Sequence, residues 1–443
     1  MSQDRRPNIL YLFTDQQCAD AMSCAGNPDV QTPAMDRLAA DGVRFDRTYC
    51  TFPLCTPSRA SMFTGRMPHE LKMKRNEIPI DESLREQELG RLLSSAGYEC
   101  VYGGKWHVPE ASLPDDGTHG FRRICDLNDN RLARRCVEFL STKHDKPFFL
   151  VASFDNPHNI WDWGAGKPMP WGRIGDPPAP GDCPNLPANH AIAPFEPRVI
   201  REFRRRDSML NAALSFTEDD WRRYRWVYYR LVEKVDAEIG RILNALRENG
   251  LEEDTVVIFS CDHGEQLGAH RMIEKWVMHD EAMRVPLIVR GKGVSNPGRV
   301  DSRLVSGGPD LYKTICDYAR VDPPEGPAGL SLRPLLEGRD GGAWREFVAA
   351  ETRFAVWAGI EGRMVRTDGY KYIAYAWGCG PLQEQLFDMQ RDPGEMVNLA
   401  VQSRSRDVRK RHRDLLSGWC ERTTDAFGYQ PWYPQRITLV RVV

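Results

Sequence analysis

Apolar residues along this chain follow two rhythms. Short apolar runs recur at Ile9–Phe13, Tyr98–Tyr102, Phe148–Val151, Val256–Phe259 and Val285–Val289, interrupted only by Glu99 and Pro286. Runs of this length and type suit strands buried on both faces, as in the centre of a parallel sheet. Between them the spacing turns helical. Thr32-Pro33 opens one such segment, and Gly42 closes it before the short run Val43–Phe45. Leu84, Leu89, Leu92 and Leu93 mark a second segment, closed near Gly97. The clearest predicted helix spans about Glu218 to Asn249, where Trp221, Tyr224, Tyr228, Leu231, Val235, Ile239, Ile242 and Leu246 advance in steps of three and four. Thr217 is its expected cap and Gly250 its stop. The pattern predicts an α/β domain over residues 1–340, with a large mixed, mostly parallel sheet sandwiched by helices. Beyond Gly338 the rhythm changes. A strand at Tyr370–Tyr375 and a polar helix at Ser403–Trp419 predict a smaller α+β subdomain with a small antiparallel sheet over residues 345–443. Residues 161–206 fit neither rhythm. Rich in proline, with Trp161, Trp163, Trp171 and the run Arg204-Arg205-Arg206, they read as a substrate-enclosing insertion or as an irregular surface excursion.

Composition narrows the function classes. With 60 Lys+Arg against 62 Asp+Glu the net charge is -2, so nothing in bulk charge points to nucleic acid or an anionic membrane as partner. No apolar run reaches membrane-spanning length, and the opening run lacks a secretory core and cleavage site. A cytoplasmic protein is the expectation, or a periplasmic or secreted one if a leader has been removed. The 12 cysteines are scattered without CxxC pairs, as buried thiols are.

Open α/β sheets bind ligands beyond the carboxyl ends of their strands. Chemistry-bearing residues cluster there: Asp15 and Gln16 after the first strand, Lys105 and His107 after Tyr98–Tyr102, His158 after Phe148–Ser153, and Asp262 and His263 after Val256–Phe259. The decisive stretch is Cys55-Thr56-Pro57-Ser58-Arg59, continuing to Thr64-Gly65-Arg66. Pro57 suits a first helical turn, which places Cys55 just ahead of a helix N-terminus, where unpaired N–H groups favour an anion and depress a thiol pKa.

This stretch resembles the Cys-x-Pro-Ser-Arg…Thr-Gly-Arg signature of the type I sulfatases, members of the alkaline phosphatase superfamily. The resemblance runs on through most of the chain. It takes in Pro7-Asn8-Ile9 to Asp15, Gly104-Lys105-Trp106-His107, Pro157-His158, Asp262-His263-Gly264-Glu265, Lys275, Arg284-Val285-Pro286-Leu287, Lys371-Tyr372, Leu386-Phe387-Asp388 and Asn398-Leu399-Ala400.

The resemblance implies that a formylglycine-generating enzyme oxidises Cys55 to formylglycine, whose hydrate attacks sulfur. Sulfate then leaves by carbon–oxygen cleavage. Asp15, Gln16, Asp262, His263 and position 55 are the implied metal ligands. Gln16 stands where many family members carry a second Asp, and His263 where many carry Asn. Fewer carboxylates and an imidazole weaken the usual preference for calcium, which still comes first, with manganese or another transition ion as the alternative. Arg59 is expected to brace the nucleophile, and Lys105 and Lys275 to clamp sulfate oxygens. His107 is the implied base for the hydrate, and His158 the implied acid for the leaving group. The implied activity is sulfuric ester hydrolysis on a sulfated small molecule or sugar. Two rivals stand beside it: a phosphonate or phosphate ester hydrolase with the same nucleophile, and a non-catalytic sulfoglycan-binding protein. The three tryptophans would stack on sugar rings or pack their own loop. His270 and His279 receive no role.

Overall fold

A computed structural model describes residues 6–429 apart from 327, 340–341, 355–358 and 379. Residues 430–443 of the expected C-terminal subdomain lie outside the described residues, as does Cys379.

The main sheet has eight strands: β1 (Asn8–Asp15), β2 (Gly42–Phe45), β4 (Glu99–Gly104), β5 (Arg122–Cys125), β6 (Phe148–Pro157), β7 (Thr255–Cys261), β8 (Leu287–Arg290) and β9 (Arg299–Asp301). Their spatial order is β5-β4-β6-β1-β7-β8-β2-β9. Only β8 runs against its two neighbours, so the sheet is mixed and mostly parallel. Two-residue strands β3 (Thr48–Tyr49) and β10 (Val305–Ser306) form a small parallel ladder, and β11 (Phe347–Arg353), β12 (Ile360–Thr367), β13 (Tyr370–Trp377) and β14 (Gln383–Asp388) an antiparallel sheet.

β1 is central, pairing Ile9 with Phe149 on one side and with Val256 on the other. Its unbroken apolar run follows from this position: Ile9, Tyr11 and Phe13 enter one core with Phe63, Tyr102 and Ile258, while Leu10 and Leu12 enter the other. The helix Glu218–Glu248 covers that second core, started by a capping box in which Thr217 and Asp220 each bond the other's backbone. Val348, Ala350, Met364 and Ile373 of the antiparallel sheet join this same core. Its opposite face packs on the helix Arg406–Thr423 through Tyr372, Leu416 and Trp419. Among the described residues no helix is long and apolar enough to cross a membrane.

Several boundaries differ from the sequence reading. The leucine-rich segment breaks at Glu88, which is extended (φ -68°, ψ 142°) between a 3-10 turn at Glu82–Gln87 and the α-helix Leu89–Ser95. The buried Glu88 carboxylate is held there by His119 Nδ1 at 2.6 Å. The run expected at Val285–Val289 becomes a strand only at Leu287, because Val285 N–H bonds Thr48 and the Pro286 carbonyl accepts from Ser260. Residues 161–206 are less irregular than expected. Ile160–Gly164 and Arg198–Arg206 are helices, the latter burying Val199, Ile200 and Phe203. Its Arg204 is buried and forked onto Glu196 at 2.5 and 2.9 Å.

Candidate active site

The strand ends converge on the N-terminus of the helix Cys55–Thr64. Cys55 is the first helical residue, one position later than the sequence suggested; Leu54 ahead of it offers no side-chain cap, and Asn76 Oδ1 accepts the Thr56 N–H at 3.0 Å. Its fully buried thiol lies 3.2 Å from His263 Nε2 and 3.7 Å from Asp15 Oδ1. Burial and Asp15 oppose its ionisation, yet Lys105, His263 and Lys275 hold its pKa well below the usual thiol value. Ser58, one turn on, donates to the Asp262 carbonyl at 2.6 Å and ties this helix to β7.

Arg59 is the hub. Completely buried, it donates through Nε to Asp262 Oδ2 (2.7 Å) and through Nη2 to Asp15 Oδ2 (2.8 Å). Its Nη1 reaches the Lys105 carbonyl (2.7 Å) and Ser153 Oγ (2.9 Å), and the guanidinium lies over the Phe13 ring at 4.9 Å. Burial disfavours its charge, but Asp262 and Asp15 more than offset that and raise its pKa further. Lys105 Nζ sits between Asp15 Oδ2 (2.8 Å) and Asp155 Oδ1 (2.9 Å). Asp15 stays well below the usual carboxylate range despite burial, drawn down by Lys105, His158 and Arg59.

Lys275 enters from a contorted loop. Glu274 and Trp276 on either side of it have left-handed backbones (φ 64° and 81°). Such non-glycine conformations cost on the order of 1–3 kcal/mol each and persist where surroundings impose them. Here the Glu274 N–H bonds Glu265 Oε1 at 2.6 Å and the Trp276 carbonyl accepts from Thr352. Lys275 Nζ donates to Gln16 Oε1, while Gln16 Nε2 donates to Glu265 Oε2 at 2.5 Å. The Gln16 side chain thus joins Lys275 to Glu265, and its backbone N–H bonds Asp262 Oδ1 at 3.2 Å.

Asp15, Cys55, Asp262 and His263 each offer one donor atom, all within 4.8 Å of one another and all buried. This set fits a divalent cation. His263 Nδ1 bonds the Gly264 carbonyl at 3.0 Å, which makes Nδ1 the protonated nitrogen and leaves the Nε2 lone pair facing the cluster. Gln16 contributes around this group through Asp262. The two remaining histidines border the site. The His107 carbonyl accepts from Thr56 Oγ1 at 2.6 Å, and its Nδ1 is buried without a partner. His158 is half-buried and close enough to Asp15 and Asp155 to depress both.

With this geometry, comparison with known proteins is decisive. The sulfatase family profile matches residues 7–321, and a profile for the C-terminal part of N-sulphoglucosamine sulphohydrolase matches residues 268–420. The chain belongs to the sulfatase family. It is 31% identical to the Delta 4,5-hexuronate-2-O-sulfatase of Bacteroides thetaiotaomicron, over 95% of this chain and 90% of that one. It is 29% identical to the ulvan-active sulfatase of Formosa agariphila, over 89% of this chain and 77% of that one. A solved structure described as a 2-O GAG sulfatase superposes with a TM-score of 0.85 at 28% identity, covering 96% of this chain and 94% of that one. This sulfatase is therefore a sulfuric ester hydrolase, with the expected α/β architecture and antiparallel C-terminal sheet.

Sequence reasoning missed Asp155, Glu265 and Trp171 as parts of the site. Asp155 lies on β6, which runs to Pro157, past the expected strand end, and inspection of the next two residues would have found it. Glu265 was visible within the Asp262–Glu265 motif but carried no role. Of the three tryptophans, Trp163 packs on Tyr224, Trp161 lies under Lys167 at 4.5 Å, and Trp171 Nε1 donates to Asp155 Oδ2 at 2.7 Å. His270 and His279 stack on each other, buried, with centroids 3.9 Å apart.

Proposed function

We propose that this sulfatase is a formylglycine-dependent carbohydrate sulfatase that releases inorganic sulfate from a sulfated sugar. The observation that carries the reading is the buried Cys55 side chain, 3.2 Å from His263 and ringed by Asp15, Lys105 and Lys275 at a helix N-terminus. A formylglycine-generating enzyme oxidises Cys55, and the resulting aldehyde hydrate supplies the nucleophile for sulfur and a route to expel sulfate by carbon–oxygen cleavage. Asp15, Asp262, His263 and position 55, with Gln16 at the margin, would hold a divalent cation, calcium first and manganese second, which when bound would supply positive charge to acidify the nucleophile and offset the buried carboxylates.

The chain's own groups do the rest. Arg59 fixes Asp15 and Asp262 relative to each other. Lys105 has two of its three N–H bonds on carboxylates among the described residues and offers the third to a sulfuryl oxygen. Lys275 approaches from the opposite loop, giving a second cation where negative charge grows in the transition state. His158, on the excursion side, protonates the departing sugar oxygen, and His107, beside Thr56, takes the proton whose removal frees sulfate. A carbohydrate sulfate is favoured because relatives 31% and 29% identical to this chain are named for hexuronate and ulvan substrates.

The test is a desulfation screen on defined sulfated sugars, using enzyme whose conversion at position 55 has been verified by peptide mass. Sulfate release from one position of one sugar class is expected. Fully converted protein that releases none, yet turns over an aryl phosphonate diester, would replace this reading with phosphorus ester hydrolysis, the alternative favoured by the Gln16/His263 donor set.

A further inference from the structure

We propose that Asp155 is a positioning residue for Lys105 and that Trp171 fixes the orientation of Asp155, which makes the excursion around residue 171 part of the catalytic apparatus. The inference rests on the sulfuryl-binding role given to Lys105 above.

Asp155 is buried, and its two oxygens are divided between two tasks. Oδ1 receives Lys105 Nζ at 2.9 Å. Oδ2 receives Trp171 Nε1 at 2.7 Å and Asn159 Nδ2 at 3.0 Å. Its backbone is fixed as well: Asp155 N–H and Asn156 N–H donate to the two oxygens of Asp129, each at 2.8 Å. Three separate segments thus immobilise one carboxylate: the start of the helix Asp129–Leu140, Asn159 at the end of β6, and the loop carrying Trp171.

The consequence concerns where the ammonium of Lys105 rests. Its other partner is Asp15, which already serves Arg59 and belongs to the donor cluster around Cys55. With Asp15 alone, the lysine would be drawn wholly into that cluster. Asp155 pulls from the opposite side, suspends Nζ between two carboxylates and fixes the direction of the remaining N–H. The indole N–H keeps Oδ2 occupied, so only Oδ1 faces the lysine. Without that bond Oδ2 keeps only the longer Asn159 amide contact, so the carboxylate is held less firmly and the aim of the third N–H loosens. Trp171 is half-buried on a loop whose next residues, Gly172 and Arg173, are exposed. A surface loop therefore reaches the catalytic lysine through two hydrogen bonds.

Trp171→Phe removes the N–H and keeps the ring. With 4-nitrophenyl sulfate as probe and conversion at position 55 matched, its kcat should fall roughly 5- to 20-fold, with KM within about twofold and an unchanged melting temperature. Asp155→Asn should fall further, by roughly 30- to 100-fold. The discriminating measurement is the same Trp171→Phe change on a Lys105→Ala background, where it should cost less than about twofold, because its effect passes through the lysine. A Trp171→Phe enzyme with unaltered kcat overturns the inference. So does a full, multiplicative loss on the Lys105→Ala background, or a loss confined to KM, which would mean stacking on substrate. Wild-type turnover by Lys105→Ala alone overturns the role of Lys105, and this inference with it.

Discussion

Among the described residues two clusters bring histidine and carboxylates close enough to hold a metal ion: the fully buried Asp15, Cys55, Asp262 and His263 at the strand ends, and the half-buried His69 with buried Glu351 and Asp425 beneath the C-terminal sheet. Residue type does not tell them apart. Unused lone pairs do. In the second cluster His69 spends Nδ1 on Glu351 (2.6 Å) and Nε2 on the Thr423 carbonyl (3.1 Å), and Arg363 takes both oxygens of Asp425 (2.5 and 2.9 Å). In the first, His263 ties back only Nδ1 and points Nε2 at Cys55. One cluster is sealed by its own donors and fastens the segment after the Cys55 helix to β11, β12 and the end of the last long helix. The other keeps acceptors turned inward and is built to receive something.

The largest effect should separate chemistry from cohesion. Cys55→Ala should lower turnover of the cognate sulfate ester by about 10⁴-fold or more, since no other side chain can supply the nucleophile, with little change in melting temperature. His69→Ala should do the reverse, destabilising the fold while leaving kcat per folded molecule within roughly threefold. Sulfatase kinetics beside a thermal melt of each variant checks both. A catalytic collapse in His69→Ala at full folding would mean that the clusters are coupled.

Next in size is Asp425→Ala. It leaves buried Arg363 with the Gly362 carbonyl at 2.9 Å and, among the described residues, no carboxylate nearer than Glu351 at 3.7 Å and Glu361 at 3.9 Å, a loss expected to cost about 3 kcal/mol in chemical denaturation. A cost near zero would show that these longer pairs suffice.

The comparison also explains what the sequence could and could not reveal. The first cluster was legible because Asp15, Asp262 and His263 lie at strand ends that the sheet rule brings together, and Cys55 heads the Cys-Thr-Pro-Ser-Arg stretch. Cys55, Arg59 and Asp262 could be named without coordinates. The second was invisible, since His69 and Glu351 stand 282 positions apart and neither sits in a recognisable motif. The Lys105–Asp155–Trp171 connection fell between these cases. Asp155 lies within reach of the sheet rule, but nothing local says that an indole 16 residues later will bond it. Among the elements, the helix Arg198–Arg206 was readable from Val199, Ile200 and Phe203, yet the surrounding prolines and the arginine run hid it. The break at Glu88 was not readable, because leucines at 84, 89, 92 and 93 fit a continuous helix as well as a broken one.

Metal removal sharpens the contrast at smaller scale. A cation bound only by the folded protein stabilises it by about 2.7 kcal/mol when present at 100 times its Kd. Chelator-treated protein should regain that stability on adding calcium or manganese, and His69→Ala should regain as much. His263→Ala should regain little. Equal recovery in both variants would remove His263 from the ligand set.

The smallest predicted effect is a pH dependence belonging to the sealed cluster. Burial alone would lower the His69 pKa, but the hydrogen bond and charge of Glu351, with Asp425 behind it, raise it from 6.5 to about 9. The folded protein therefore binds this proton more tightly than the unfolded chain. The stabilisation is complete below about pH 6.5, declines as pH rises, and is lost above about pH 9. Its size should be on the order of 2 kcal/mol, read as the difference in unfolding free energy between pH 6 and pH 9.5. His69→Gln should remove that part of the slope while its catalytic constants at pH 7 stay near wild type. If the two proteins lose stability in parallel, His69 is neutral in the fold, and the cluster is held by Arg363 and Asp425 without it.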